Sequence, residues 1–356
     1  MRIAFDVSSL SHARTGVGNY IRGSLAGLVD AAGDEDEVIA FAPTSAQGLH
    51  TIPRSVEGIP VDLRLRFLPF AHFWRQAWSQ LGRPPVERFL GPIDVLHFSD
   101  WMYPPQRGGI RSTMIHDLVP LRFPEWVQPR TRRMHGAKYR NAARTCDVVF
   151  TNSEFTKREV VGLLGVPADR VRVAYPGVEP RFRPDGPRED LSRPYLLTVA
   201  TLEPRKNLGA LLAAHRLLGS EPDLVVVGAE GWGRQPELDR PGVIRLGYVD
   251  DDRLARLYRG AQAFVYPSRF EGFGIPIAEA MASGAPVVAS SHESLDEASG
   301  DVALRADPES PEAIAEAIRT ALARSEELVP RGLEHAARFP WLATGRAFFE
   351  GYRSLL

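Results

Sequence analysis

Short apolar runs rich in Val, Ile and Phe recur along this chain between stretches with helical spacing, and this alternation narrows the choice of fold more than any other feature. Ile3–Val7, Val38–Ala42, Val61–Phe67, Val95–Phe98, Ser112–Ile115, Val148–Thr151 and Val171–Ala174 each read as a strand buried on both faces, the form strands take in a parallel sheet covered by helices. The alternation stops at Pro176–Pro194, whose five prolines and two glycines can propagate neither helix nor central strand. It restarts with Tyr195–Ala200, a helix over Leu208–Leu218, Leu224–Val227, Val243–Leu246, a helix over Asp251–Arg259, Ala263–Tyr266 and Pro286–Ala289; Pro311–Ala323 and Pro340–Leu356 read as closing helices. The predicted architecture is therefore α/β, with two Rossmann-like doubly wound domains over 1–185 and 186–338 and a helix over 339–356 that packs back on the first. Open sheets of this kind bind ligands beyond the carboxyl ends of their strands, so the chemistry is expected there, in a cleft that the two domains share.

Composition supports two ordinary cores, since 44% of the 356 residues are hydrophobic and 24% charged. Forty-three basic and forty-four acidic residues nearly cancel, which leaves no overall field to gather nucleic acid. The single Cys146 lies in an apolar run and cannot form an internal disulfide, as expected of a cytoplasmic protein. Met1–Ser9 reads as a first buried strand and not as a leader, and no apolar run is long enough to cross a membrane.

Four stretches carry chemistry. In Glu271-Gly-Phe-Gly274 glycines stand just ahead of a helix that starts near Pro276, where backbone N–H groups and the helix dipole favour an anion. Glu271 and Glu279, separated by seven residues, add two carboxylates of the kind that accept hydrogen bonds from sugar hydroxyls. Arg205 and Lys206 follow Pro204 at the end of a strand, a fork and a point charge suited to a diphosphate. Gly16 and Gly18 follow the first strand at a distance too long for a dinucleotide fingerprint; a loop that reaches towards bound phosphates fits better. His116 and Asp117 end an apolar strand, placing a proton-transfer pair, or a structural histidine with a turn cap, at the working edge of the sheet.

Thr15–Ile21, His116–Trp126, Thr151–Glu159, Leu202–Leu208, Gly247–Val249 and Glu271–Glu279, in this order, resemble the retaining glycosyltransferases of family 4, of the GT-B fold, in their bacterial mannosyltransferase branch of O-antigen and surface-polysaccharide synthesis. The resemblance implies a nucleotide-sugar donor and no cofactor. It favours GDP-mannose, with a UDP- or dTDP-sugar left open, and a saccharide or polyprenyl-linked saccharide as acceptor. It further implies that Glu279 holds the ribose, with Tyr248, Val249 and Ile275 beside the nucleotide, and that Glu271 and His116, with Asp117, face the transferred sugar. Arg205, Lys206, Gly16, Gly272, Phe273 and Gly274 would surround the diphosphate. No metal is implied, and Asp34–Glu37 and Asp250–Asp252 read as solvated or capping acids. A nucleotide-sugar epimerase or hydrolase of the same architecture, and a non-catalytic nucleotide-sugar binder, stay open. So does peripheral contact with the inner face of the plasma membrane, through the cations Arg130, Arg132, Arg133, Lys138, Arg140 and Arg144 or the aromatics Phe67, Phe70, Phe73, Trp74 and Trp78.

Overall fold

The computed structural model describes residues 1–12, 16–99, 102–231 and 237–356. Arg14 and Thr15 of the first glycine motif lie outside the described residues. The chain divides into two compact units, one of Met1–Gly177 with Pro340–Leu356 and one of Val178–Phe339. The second begins ahead of the expected position 186, because Val178 already pairs its N–H with the carbonyl of Phe339.

In the first unit β1 (Arg2–Asp6), β2 (Glu37–Thr44), β3 (Asp62–Phe67), β4 (Val95–Phe98), β5 (Ile110–Ile115), β6 (Val148–Thr151) and β7 (Val171–Val173) form one sheet in the order 3-2-1-4-5-6-7. Every pairing is parallel. Its helices include α1 (Gly16–Ala31), α2 (Ala71–Leu81) and α3 (Pro129–Thr145). The C-terminal helix, Trp341–Arg353, lies against α1 because small residues let the two backbones meet. A Cβ on Gly27 would fall 1.9 Å from the Trp341 carbonyl oxygen, and one on Gly345 1.9 Å from the Gly27 carbonyl oxygen. Phe348, Phe349 and Tyr352 then enter the same core as Ile3, Phe5 and Leu25. Fully burying aromatics of this size stabilises by about 2–3 kcal/mol each.

The second unit repeats the plan with β8 (Tyr195–Val199), β9 (Asp223–Val227), β10 (Val243–Gly247), β11 (Ala263–Tyr266), β12 (Val287–Ser290) and β13 (Leu304–Ala306), in the order 10-9-8-11-12-13. These pairings too are all parallel. Its helices include α4 (Leu208–Leu217), α5 (Asp251–Gly260), α6 (Ile275–Ala282), α7 (Pro311–Ala323) and α8 (Ser325–Ala336). The sequence reading did not anticipate α8, because Pro330 stands inside it and masks the helical period. In both sheets the strand order reverses beside the first strand of the unit, between β1 and β4 and between β8 and β11. Such switch points open a crevice at the carboxyl ends of the strands.

Candidate active site

The switch point of the second unit collects the charged residues. After β8 the chain makes a short 3-10 turn, Pro204–Lys206, and Asn207 closes it at φ 56°, a left-handed conformation that asparagine tolerates better than most residues. The Asn207 Nδ2 donates to the carbonyls of Pro267 at 3.2 Å and Pro308 at 2.6 Å, so the corner after β8 is tied to the loop after β11. Arg205 and Lys206 consequently face Glu271. The Arg205 Nη1 stands 2.5 Å from Glu271 Oε2, and the Lys206 Nζ 2.7 Å from Glu271 Oε1. Lys206 also donates to the Tyr266 hydroxyl at 2.7 Å, and that hydroxyl donates to Glu271 Oε1 at 3.1 Å.

Burial alone would raise the Glu271 carboxyl, but Arg205 and Lys206 outweigh it and hold the group at about 2. Burial pushes the Lys206 ammonium down, helped by Arg205 and opposed by Glu271. Glu203, a residue to which the sequence reading gave no role, places its Oε1 2.8 Å from Arg205 Nη2. Two cations and two carboxylates thus cancel in the free protein. A diphosphate entering here has to displace a carboxylate from the cations it meets.

The loop from Glu271 to Gly274 hangs from the segment after β12. The Glu271 N–H donates to Ser294 Oγ at 3.1 Å, and Ser294 Oγ lies 2.9 Å from His292 Nδ1. The Ser294 N–H donates to the same Nδ1 at 3.1 Å, which makes that nitrogen an acceptor and Ser294 Oγ its second donor. Gly274 has φ 103°, a conformation that favours glycine, and a Cβ there would press on Leu295 Cδ2 at 2.7 Å. Phe273 turns its ring inward onto Phe339, with centroids 5.2 Å apart, which leaves only its main chain to face a ligand.

Glu279, on α6, stands apart from the ion cluster. The Tyr258 hydroxyl donates to its Oε2 at 3.2 Å, and burial, reinforced by Asp251 and Glu179, raises its carboxyl to about 8. Ile275 opens α6 and is half-buried. Tyr248, 60% exposed, and the buried Val249 follow β10 at the edge of the sheet; no hydrogen bond or ion pair among the described residues joins them to Arg205, Lys206 or Glu271. The sequence had placed these residues in one site, and the structure brings together Arg205, Lys206 and Glu271. The partners it adds, Glu203, Tyr266, Tyr258, His292 and Ser294, belong to no spacing pattern. Only Glu203, two residues before Arg205 in sequence, left a readable trace.

In the first unit His116 and Asp117 follow β5, and Gly16 starts α1 with open space around it. The His116 imidazole sits edge-on to Tyr20, centroids 4.9 Å apart, and burial with Lys138 beside it holds it well below its ordinary range. It is therefore neutral at pH 7 and able to donate or accept. Of the two roles foreseen for Asp117 the structure shows the cap: its Oδ1 accepts from the Val119 N–H at 3.1 Å. At the β1/β4 switch point the buried Asp6 is saturated. Its Oδ1 accepts from the N–H of Ser8 at 2.9 Å and from the Ser8 hydroxyl, and its Oδ2 from the N–H and hydroxyl of Ser99, each at 3.2 Å. Lys138 corrects an expectation: it is buried and donates to the Ser99 carbonyl at 3.0 Å, so it cannot join the exposed cations of α3.

Two parallel sheets with a charged, carboxylate-bearing switch point define a sugar-transferring enzyme of the GT-B fold. Residues 14–182 match the model of "Glycosyltransferase Family 4" and residues 193–324 that of "Glycosyl transferases group 1". Among its relatives is the O-antigen chain mannosyltransferase B of Escherichia coli, 35% identical, the match covering 76% of this chain and 74% of that protein. The serotype-specific mannosyltransferase WbdA of Escherichia coli is 31% identical over 68% of this chain; the match spans 33% of WbdA's length. A glycosyltransferase structure from Rickettsia africae covers 99% of this chain, with 98% of its own length matched, at a TM-score of 0.73 and 15% identity, a likeness of fold. The chain belongs to the family 4 glycosyltransferases, hexosyltransferases of surface-glycan synthesis.

Proposed function

We propose that the protein transfers mannose from GDP-mannose, with retention at the anomeric carbon and without a metal, to a saccharide or polyprenyl-linked saccharide at an anionic membrane surface. The observation that carries this reading is the convergence of Arg205 and Lys206 on Glu271 at the switch point of the second unit, together with 35% identity to an O-antigen mannosyltransferase. As the bond from the anomeric carbon to the phosphate oxygen breaks, its electron pair passes to the diphosphate. Arg205, Lys206 and the start of α6 stabilise that charge. Glu271, released from the cations by the diphosphate, accepts from a hydroxyl of the sugar, and Glu279 accepts from the ribose. The acceptor oxygen bonds to the anomeric carbon and its proton passes to the departing phosphate.

The test is incubation with labelled GDP-mannose, UDP-glucose or dTDP-rhamnose and a lipid-linked saccharide, in a chelator, with the product's anomeric configuration read by NMR. An α-linked mannosyl product from GDP-mannose is expected. Transfer from another donor alone would replace the donor assignment. A donor altered or hydrolysed without transfer would favour an epimerase or hydrolase, and nucleotide binding without turnover a non-catalytic binder.

A further inference from the structure

We infer that Tyr266 is a positioning residue for sugar transfer: its hydroxyl holds the Glu271 carboxylate in place once a diphosphate has drawn Arg205 and Lys206 away. The inference rests on the reaction proposed above and names the group that makes this exchange of partners possible. In the free protein both carboxylate oxygens lean on cations, Oε2 on Arg205 Nη1 at 2.5 Å and Oε1 on Lys206 Nζ at 2.7 Å. Glu271 is only 8% exposed, so bulk water is poorly placed to replace them. When phosphate oxygens claim both cations, a buried charge loses its counter-ions. A buried carboxylate in that position takes up a proton or turns away, and in either case it no longer accepts from a sugar hydroxyl. Holding it requires a neutral donor that stays behind.

Tyr266 meets that requirement. It ends β11 and is 2% exposed, and its ring stacks on Phe264 with centroids 5.8 Å apart and 23° between the planes. It is therefore unable to follow the cations. Its hydroxyl donates to Glu271 Oε1 at 3.1 Å and accepts from Lys206 Nζ at 2.7 Å. A phenol has one proton to give and separate lone pairs to receive, so the bond to Glu271 does not depend on Lys206. Once Lys206 leaves the same oxygen, that bond meets a less neutralised carboxylate and strengthens. Burial, then the charge of Glu271, hold the phenol well above its ordinary value, so it remains a donor at every working pH. Arg205 has its own anchor: its Nη2 lies 2.8 Å from Glu203 Oε1, which lets Nη1 turn to a phosphate while the guanidinium stays fixed. The charged and titratable groups that face Glu271 are thus Arg205 and Lys206, backed by Glu203, on the corner after β8, Tyr266 on β11 and, through Ser294, His292 after β12.

The test is calorimetric titration of GDP, UDP and dTDP into the full chain and into Tyr266→Phe near pH 6, in buffers of different ionisation enthalpy, which reads the protons exchanged on binding. The phenyl ring can keep its place on Phe264, so the variant is expected to fold. Both proteins should bind the preferred nucleotide with affinities within about threefold of each other. Tyr266→Phe should take up more protons than the wild type, by up to about one per nucleotide; the exchange at Glu279 is common to both and cancels in the difference. With a sugar donor and acceptor, kcat of Tyr266→Phe should fall about tenfold or more with donor KM little changed. The acid limb of its kcat profile should move to higher pH, since a carboxyl that has lost a donor protonates sooner. Equal proton exchange in the two proteins overturns the proposal. So does a joint fall of affinity and kcat without a shift of the acid limb, which would make Tyr266 a packing residue. A wild type that binds none of the three nucleotides overturns the reaction proposed above and this inference with it. Absent sugar transfer beside the expected difference in proton exchange would count against that reaction and in favour of Tyr266.

Discussion

The two units share one topology but use their switch points in opposite ways. Between β1 and β4 the Asp6 carboxylate takes its four hydrogen bonds from Ser8 and Ser99 and has no capacity left for a ligand. Between β8 and β11 the Glu271 carboxylate is held by Arg205 and Lys206, charges that a stronger anion can claim. A buried acid satisfied by neutral, fixed donors is architecture, whereas one balanced by cations at the mouth of a crevice is a site held ready. On the proposed reaction, the cations that would meet the diphosphate already converge in the free protein.

The largest expected effect comes from Glu271→Gln, which keeps the shape and removes the charge. Sugar transfer should fall on the order of 1000-fold. Affinity for the nucleoside diphosphate should hold or rise, since the carboxylate that competes for Arg205 and Lys206 is gone. Weaker diphosphate binding would show that Glu271 supports the anion site and does not compete with it. Next is Ser294→Ala, which removes the acceptor of the Glu271 N–H. A drop of about tenfold in kcat with little change in KM is expected, recovered in Ser294→Thr; equal loss in both would make Ser294 a packing residue.

How far the sequence discloses this contrast depends on the kind of interaction. The strand runs and the proline-rich boundary marked every strand but β13, because burial on two faces writes itself as continuous apolar stretches, whereas the three residues of β13, with Arg305 at the centre, form no such run. Arg205, Lys206 and Glu271 were legible because each stands at a strand end beside a turn. Ser294 and His292 were not, since they act through one main-chain N–H across a gap in sequence that no periodicity spans. Lys138 misled for a related reason. Its neighbours Arg133 and Arg140 are exposed, and only the fold turns this one cation inward to the Ser99 carbonyl.

Glu279 gives a pH-dependent test. Its carboxyl, ordinarily at 4.5, is raised to about 8 in the free protein, so the folded state holds an extra proton between those values and this group's contribution to stability declines as pH rises through that window. Glu279→Gln should flatten that decline in thermal melts. Ribose hydroxyls favour the ionised form, so nucleotide binding near neutral pH should release a proton and tighten as pH rises from about 6 to about 8. Binding heats that do not vary with the ionisation enthalpy of the buffer would contradict this. The smallest functional effect is expected from Asp6→Asn, which should cost about 1–3 kcal/mol of stability and leave nucleotide affinity unchanged.

The most direct measurement is calorimetric titration of a nucleoside diphosphate into the wild type, Asp6→Asn and Arg205→Ala, each checked for folding. Wild-type affinity in Asp6→Asn with a loss of about 100-fold in Arg205→Ala is the expected result. Undiminished binding by Arg205→Ala would contradict the assignment of the diphosphate to the switch point of the second unit.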